Sequence, residues 1–278
     1  MGKYNEFLKR FKLLNEKNQF IVANTLSNIF TMREIGNKTH GDLAEVGIVE
    51  FINQFMYDYK SKHVGKSLFR AKNHEEDIVV QSEISKEKFS VSIKAYGDGP
   101  LQLSTDKNSL MFAELEKHSE LITDKDKIDS ILNGEAFKSI ESINLLPLIY
   151  REKEMECNIL VFDFEKAKEE TAKIEYVSSG NGRKHPIYKF TNSKGDYIFE
   201  VRYGGASANA LQRGMWTNTK NATNYFFSIT GGWINYKINE DLVKLIMLAL
   251  NSTKAAHVES SIILQKGIEE LKKKWVKK

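Results

Sequence analysis

Apolar and polar positions along the chain change from a helical period in the N-terminal part to a strand period further on. Apolar side chains recur every three or four positions over 4–34 and 39–60, which predicts amphipathic helices. The apolar run over 158–164 predicts a buried strand. Apolar and polar residues alternate over 173–203, in segments separated by polar turns, which predicts β-hairpins. A further hairpin is predicted over 225–238, around a pair of glycines.

These elements predict an α/β fold, α+β in part, with a mixed central β-sheet flanked by helices. The first part of the chain, residues 1–170, would hold the central sheet and the N-terminal helices. The second part, 171–278, would be a β-rich region that ends in helices predicted over 240–250 and 257–275. The alternative is that both parts form one continuous domain, for which the 278 residues are not too many.

One predicted hairpin, within residues 75–104, carries candidate chemistry. A β-branched run follows Asp77, and after a charged turn the segment that ends in Ser92-Ile93-Lys94 alternates apolar and polar residues. Fourteen residues separate Asp77 from Ser92, so an antiparallel return can bring Asp77 close to Ser92 and Lys94. A carboxylate can hold a divalent cation. A neighbouring lysine can orient a water that attacks a phosphodiester, or offset charge in the transition state.

Asp77 followed by Ser92-Ile93-Lys94 resembles the PD-(D/E)xK nuclease pattern, in the variant where serine replaces the second acid. Type II restriction endonucleases supply that variant, and the resemblance covers roughly residues 39–104. It implies a restriction-endonuclease-like core and a Mg²⁺ ion bound by Asp77 and the backbone carbonyl of Ile93. It also implies that Lys94 positions the attacking water and that Ser92 is a weak ligand or a spacer.

Because serine replaces an acid in this variant, the resemblance requires a second carboxylate from elsewhere, often from a helix ahead of the first strand. The helix predicted over 39–60 suits this role, because Glu45 and Glu50 border its apolar stripe. That stripe consists of Leu43, Val46, Val49, Ile52 and Phe55 or Met56. We predict Glu45 as the metal ligand ahead of Glu50. Glu114 and Glu116 are alternative donors further along the chain.

The distribution of charge points to a region that faces a polyanion. Residues 106–170 hold nine Lys and Arg against sixteen Asp and Glu, whereas residues 181–224 hold seven against two. The segment 178–221 is also rich in side chains that read base edges. Arg213 is a candidate for a base contact, and the turn at 183–184 for phosphate contacts. The candidate DNA-binding residues are Arg183, Lys184, Arg202, Asn209, Gln212, Arg213, Trp216, Thr217 and Asn218.

Other features narrow the class of protein. The single cysteine, Cys157, excludes an internal disulfide and a cysteine metal cluster. No apolar run is long enough for a membrane span, and the charged N-terminus does not resemble a signal peptide, so a cytoplasmic protein is expected. The sequence predicts a Type II restriction endonuclease of a restriction-modification system that cuts double-stranded DNA with Mg²⁺, with a homodimer expected from the symmetry of palindromic sites. The alternatives are a non-catalytic sequence-specific DNA-binding protein and a structure-specific DNA repair nuclease.

Overall fold

The computed structural model describes most of the chain. The described residues are 3–35, 40–64, 77–97, 100–103, 110–141, 145–180, 182, 184–203, 213–218, 223–252, 262–263, 265–270 and 273. The helices are α1 Lys3–Lys17, α2 Gln19–Ile35, α3 His40–Phe55, α4 Met111–Leu115, α5 Lys125–Leu132, α6 Glu135–Glu141, α7 Phe164–Glu170 and α8 Glu240–Ser252. The strands are β1 Tyr59–His63, β2 Ile78–Ser82, β3 Lys88–Tyr96, β4 Pro100–Gln102, β5 Leu121–Ile122, β6 Leu145–Arg151, β7 Glu156–Phe162, β8 Lys173–Val177, β9 Ile187–Thr191, β10 Tyr197–Tyr203, β11 Arg213–Asn218, β12 Phe226–Ser228 and β13 Ile234–Asn235.

The first sheet has seven strands in the order β1-β2-β3-β6-β7-β12, with β13 also paired to β7. All neighbours are antiparallel except β3 and β6, which run parallel. The sheet is therefore mixed and is flanked by helices, which confirms the predicted fold class.

The second sheet has six antiparallel strands in the order β4-β11-β10-β9-β8-β5. The position 170 does not separate the strands of one sheet from those of the other. Strands β12 and β13 join the first sheet from the C-terminal part, whereas β4 and β5 join the second from the N-terminal part. Both parts of the chain thus contribute to both sheets.

The prediction of a simple hairpin over 225–238 is wrong, because β12 and β13 both pair with β7. A buried polar cluster holds the turn between them against that strand. The Asn158 side chain of β7 accepts hydrogen bonds from the hydroxyls of Ser228, at 2.7 Å, and Thr230, at 2.9 Å. Since buried polar groups need partners, these bonds favour docking of both segments on β7.

Two hydrophobic cores lie on opposite faces of the first sheet. One core joins α1–α3 to residues such as Val91, Ile93 and Ile159. The other joins the second sheet and α4–α7 to residues such as Leu160. Successive residues of a strand point to opposite faces, so β7 serves both cores. Among the described residues, no helix is long and apolar enough to cross a membrane.

Candidate active site

The hairpin of β2 and β3 brings the predicted residues together. The first residue of β2 pairs with Val91, so the register places Asp77 opposite Ser92. The backbone N–H of Ile93 donates a hydrogen bond to Oδ2 of Asp77 at 2.7 Å. The Nζ atom of Lys94 lies 3.7 Å from the same oxygen. The carboxylate therefore lies between a backbone donor and an ammonium group, both supplied by the neighbouring strand.

The alternation of β3 divides its side chains between the two faces of the sheet. Val91 and Ile93 are buried in the core under α1–α3. Ser92 and Lys94 occupy the alternate positions and point to the opposite face. The side chains of Asp77 and Lys94 retain 20% and 26% exposure, so both are sheltered and still accessible from solvent.

The backbone of Ile93 adds an oxygen to this edge of β3. In an antiparallel ladder, the N–H and C=O of one residue point toward the same neighbouring strand. The N–H of Ile93 points to Asp77, so its carbonyl points to the same side of β3. A carboxylate and a carbonyl are the hard oxygen donors that Mg²⁺ prefers, and Mg²⁺ is usually held by one or two carboxylates while waters and substrate phosphates complete its shell. This donor set therefore fits Mg²⁺.

The α3 helix carries the predicted second carboxylate, but its apolar stripe differs from the prediction. Val46, predicted to lie in the stripe, is 51% exposed, and Glu45 is 6% exposed. The close approach of α2 explains this rotation. A Cβ atom at Gly47 would lie 2.5 Å from the Cδ1 of Ile29, so only glycine allows α2 to pack here. Glu50 is exposed on the outer side of α3.

Glu45 is bound to a residue that the sequence reasoning did not single out. The Nε2 atom of His63, in β1, lies 2.8 Å from Oε2 of Glu45. Tyr59, Ser61 and His63 alternate along β1 on the face that α3 covers, since the Ser61 hydroxyl also donates to the backbone of α3. The signal that could have identified His63 is this period of two.

The two pairs lie at the same end of the first sheet, on opposite faces. His63 pairs with the first residue of β2, and the N–H of Val64 donates to the backbone carbonyl of Asp77 at 3.0 Å. Glu45 and His63 are on the helix-covered face, and the Asp77–Lys94 pair is on the other. Among the described residues, no three acidic, histidine or cysteine side chains gather into a metal-binding cluster.

The alternative carboxylate donors lie in α4 and directly after it. Glu116 is exposed. Glu114 binds Lys117 at 2.6 Å and lies 3.7 Å from His118. The hydrogen bond from Lys117, helped by the charge of His118, lowers the pKa of Glu114 below its usual value. Glu114 thus has a local role in ion pairs on α4.

The candidate DNA-binding residues are only partly described. Lys184 is exposed in a turn, and Arg202 is half-buried in β10. Four others form part of β11, of which the backbone alone is described: Arg213, Trp216, Thr217 and Asn218. The remaining three lie outside the described residues: Arg183, Asn209 and Gln212.

The strand β4 relates β11 to the hairpin of β2 and β3. The strand β4 begins six residues after Lys94 and pairs with β11 in the second sheet. Trp216 is the register partner of Gln102, and Thr217 that of Leu101. The strand that holds Lys94 therefore leads directly to the neighbour of the predicted recognition strand.

Comparisons of the chain with protein-family models, with curated proteins and with solved structures find no match in any of the three. Function is therefore inferred from the geometry of the site and from the motif that the chain resembles.

Proposed function

We propose that this chain is a Mg²⁺-dependent Type II restriction endonuclease, which hydrolyses phosphodiester bonds of double-stranded DNA at a specific sequence. The observation that carries this proposal is the position of the Asp77 carboxylate, between the N–H of Ile93 and the ammonium of Lys94. This is the arrangement that the D…SxK pattern requires, obtained on two antiparallel strands with both side chains partly accessible.

The residues of the site have separate roles in the proposed reaction. Asp77 and the carbonyl of Ile93 would hold Mg²⁺, which polarises a phosphate and lowers the pKa of a bound water. The N–H of Ile93 fixes the orientation of the Asp77 carboxylate. Lys94 shares the face of Ser92, where its ammonium group can hold the attacking water and offset the negative charge that develops on the phosphate.

Double-stranded DNA is the proposed substrate for two reasons. The excess of basic residues over 181–224 suits a phosphate backbone. The strand β11, which lies within this range, pairs with β4, which begins six residues after Lys94. A homodimer would match the symmetry of a palindromic site, and a place in a cytoplasmic restriction-modification system goes with such an activity.

A non-catalytic DNA-binding protein remains the competing function, because the Asp77 side chain can have a structural role alone. It accepts the hydrogen bond from the N–H of Ile93 just before the first residue of β2. Incubation of plasmid DNA with Mg²⁺, followed by sequencing of the ends, separates the two. We expect fixed cut sites, no cutting with EDTA, and a loss of roughly 100-fold or more in rate for Lys94→Ala, as for removal of an electrostatic donor.

Lys60→Ala is the matched control. Lys60, in β1, also pairs with a carboxylate, with its Nζ 3.1 Å from Glu83 in the turn after β2, but it is largely exposed. Its loss should leave cleavage near the wild-type rate. Cleavage by Lys94→Ala at a near-normal rate would show that this site is not catalytic.

A further inference from the structure

The first three strands of the first sheet carry polar side chains on one face. Strand β1 forms the edge of this sheet and is followed by β2 and β3. On the other face of these strands, Ile78, Val80 and Val91 are buried in the core under α1–α3. In the part of the chain that the structure describes, the second core contains no buried residue of β1, β2 or β3. The polar face, which we call the lysine face, consists of Lys60, Lys62, Val79, Gln81, Lys88, Ser90, Ser92 and Lys94.

Two lysines of the lysine face have no acidic partner among the described residues. Lys62 and Lys88 are both exposed, and neither lies within ion-pair distance of a carboxylate in that part of the chain. Lys60 differs from them, because its Nζ lies 3.1 Å from Glu83. The charges of Lys62 and Lys88 therefore remain uncompensated on the face of the candidate active site, where they attract an anion.

The spacing of the lysines favours an extended anion. Lys88 and Lys94 lie six residues apart on β3, which is about 20 Å at the rise of a strand. Lys62 pairs with Val79, which pairs with Ser90, so Lys62 lies roughly 10 Å from β3 across the sheet. A small anion can contact only one of these lysines. One strand of DNA advances about 3.4 Å per nucleotide, so about six nucleotides of backbone span the distance from Lys88 to Lys94.

We propose that the lysine face binds the phosphate backbone of duplex DNA and directs one strand to the Asp77–Lys94 pair. This inference rests on the proposed function. Lys62 and Lys88 are positioning residues that contact phosphates away from the cleaved bond. Phosphate contacts carry no sequence information, so their contribution is the same for every DNA sequence. In this respect they differ from the base contacts predicted within 178–221.

Binding to duplex DNA without divalent metal, measured by fluorescence anisotropy at several salt concentrations, tests the proposal without cleavage. We expect Lys62→Ala and Lys88→Ala each to weaken binding to the cut sequence and to a scrambled duplex by the same factor. Each variant should lower the salt slope by about one unit, because fewer counterions are released. The double variant should lower it by about two units. Lys62→Arg should retain the wild-type slope, because it keeps the charge.

Lys12→Ala is the matched control. It removes the same charge from α1, which packs on the other face of the first sheet. The Lys12 side chain is 48% exposed, with its Nζ 3.9 Å from Glu16. Both duplexes should bind this variant as they bind the wild type. If Lys12→Ala lowers the salt slope as much as Lys88→Ala does, the effect comes from the net charge of the protein, and the proposal fails.

The remaining outcomes separate the proposal from the function on which it rests. If Lys62→Ala and Lys88→Ala bind DNA normally while the wild type cuts it, the proposal is overturned and the endonuclease stands. If both variants lose affinity but the wild type does not cut, the lysine face binds DNA in a non-catalytic protein. Weakening of the cut sequence alone would make the two lysines base contacts and overturn the proposal. A wild-type protein that neither binds nor cuts DNA would overturn both. Circular dichroism of each variant identifies loss of affinity that is caused by loss of fold.

Discussion

Replacement of Asp77 by asparagine separates the two roles of its side chain, as a hydrogen-bond acceptor and as a negative charge. The variant Asp77→Asn keeps an oxygen that can accept the hydrogen bond from Ile93, now 2.7 Å long, but removes the negative charge. A hydrogen bond to a charged group contributes about 1.5–3 kcal/mol and a neutral one about 0.5–1.5 kcal/mol. The ion pair with Lys94, at 3.7 Å, adds roughly a further 0–1 kcal/mol. We therefore expect the free energy of unfolding to fall by about 1–2 kcal/mol.

Asp77→Ala removes the acceptor as well. The N–H of Ile93 then loses its partner, which precedes the first residue of β2. An unsatisfied donor of this kind lowers the free energy of unfolding by about 1–3 kcal/mol. The alanine variant should therefore be less stable than the asparagine variant. Urea unfolding measures both values, with an unchanged slope expected because the surface exposed on unfolding is the same.

Cleavage of plasmid DNA is the second measurement on the same variants. We expect Asp77→Asn to remain folded and to lose cleavage and Mn²⁺ binding, since a neutral amide cannot replace an anionic metal ligand. Cleavage by Asp77→Asn at the wild-type rate would refute the metal role and leave Asp77 as the acceptor for Ile93. Equal stability of the asparagine and alanine variants would refute the described hydrogen bond.

Two other predictions concern the packing of α3 and the recognition of DNA. Gly47→Ala places a Cβ 2.5 Å from Ile29, which should cost about 1–3 kcal/mol from overpacking, while alanine adds about 1 kcal/mol of helix propensity. Thermal unfolding should therefore show a net loss of up to about 2 kcal/mol, and a gain in stability would contradict the α2–α3 contact. Arg213→Ala should lose about 1–3 kcal/mol of discrimination at one base pair. Lys184→Ala should weaken binding to cognate and altered duplexes alike and lower the salt slope by about one unit; equal weakening of both duplexes by Arg213→Ala would make Arg213 a phosphate contact.

The local part of the site could be predicted from the sequence because it depends on strand alternation alone. The period of two in β3 places Ser92 and Lys94 on one face, and the spacing from Asp77 allows the antiparallel return that the structure shows. Both properties are set within one hairpin.

The phase of α3 could not be predicted, because it depends on a neighbouring helix. Leu43, Val46 and Val49 form an acceptable stripe by spacing, yet Val46 is exposed and Glu45 is buried. The decisive feature is the absence of a side chain at Gly47, which admits Ile29 of α2. A pattern that scores only the apolar residues of one helix contains no information on this contact.

The pairing of strands in the second sheet could not be predicted either, because the partners lie far apart in the sequence. The residues that become β4 lie within the segment 75–104, where strands are predicted, but no strand is predicted over 213–218. The pairing of the two strands joins Leu101 to Thr217, 116 residues further along the chain. The pairing places β11, part of the candidate DNA-binding segment, beside a strand that begins six residues after Lys94. Many strand orders are compatible with the same alternation, so this proximity could not be derived from the sequence.

The strand β1 shows why His63 escaped prediction although its signal was present. Tyr59, Ser61 and His63 alternate with Lys60 and Lys62 in a regular period of two. Only the first of the three inward residues is apolar, so the segment has the composition of a basic loop. Polar residues are stable at inward positions only if another element supplies partners, which here are the backbone of α3 for Ser61 and the Glu45 carboxylate for His63. Sites that carry chemistry break local rules in this way, because their side chains are selected for partners that lie far along the chain.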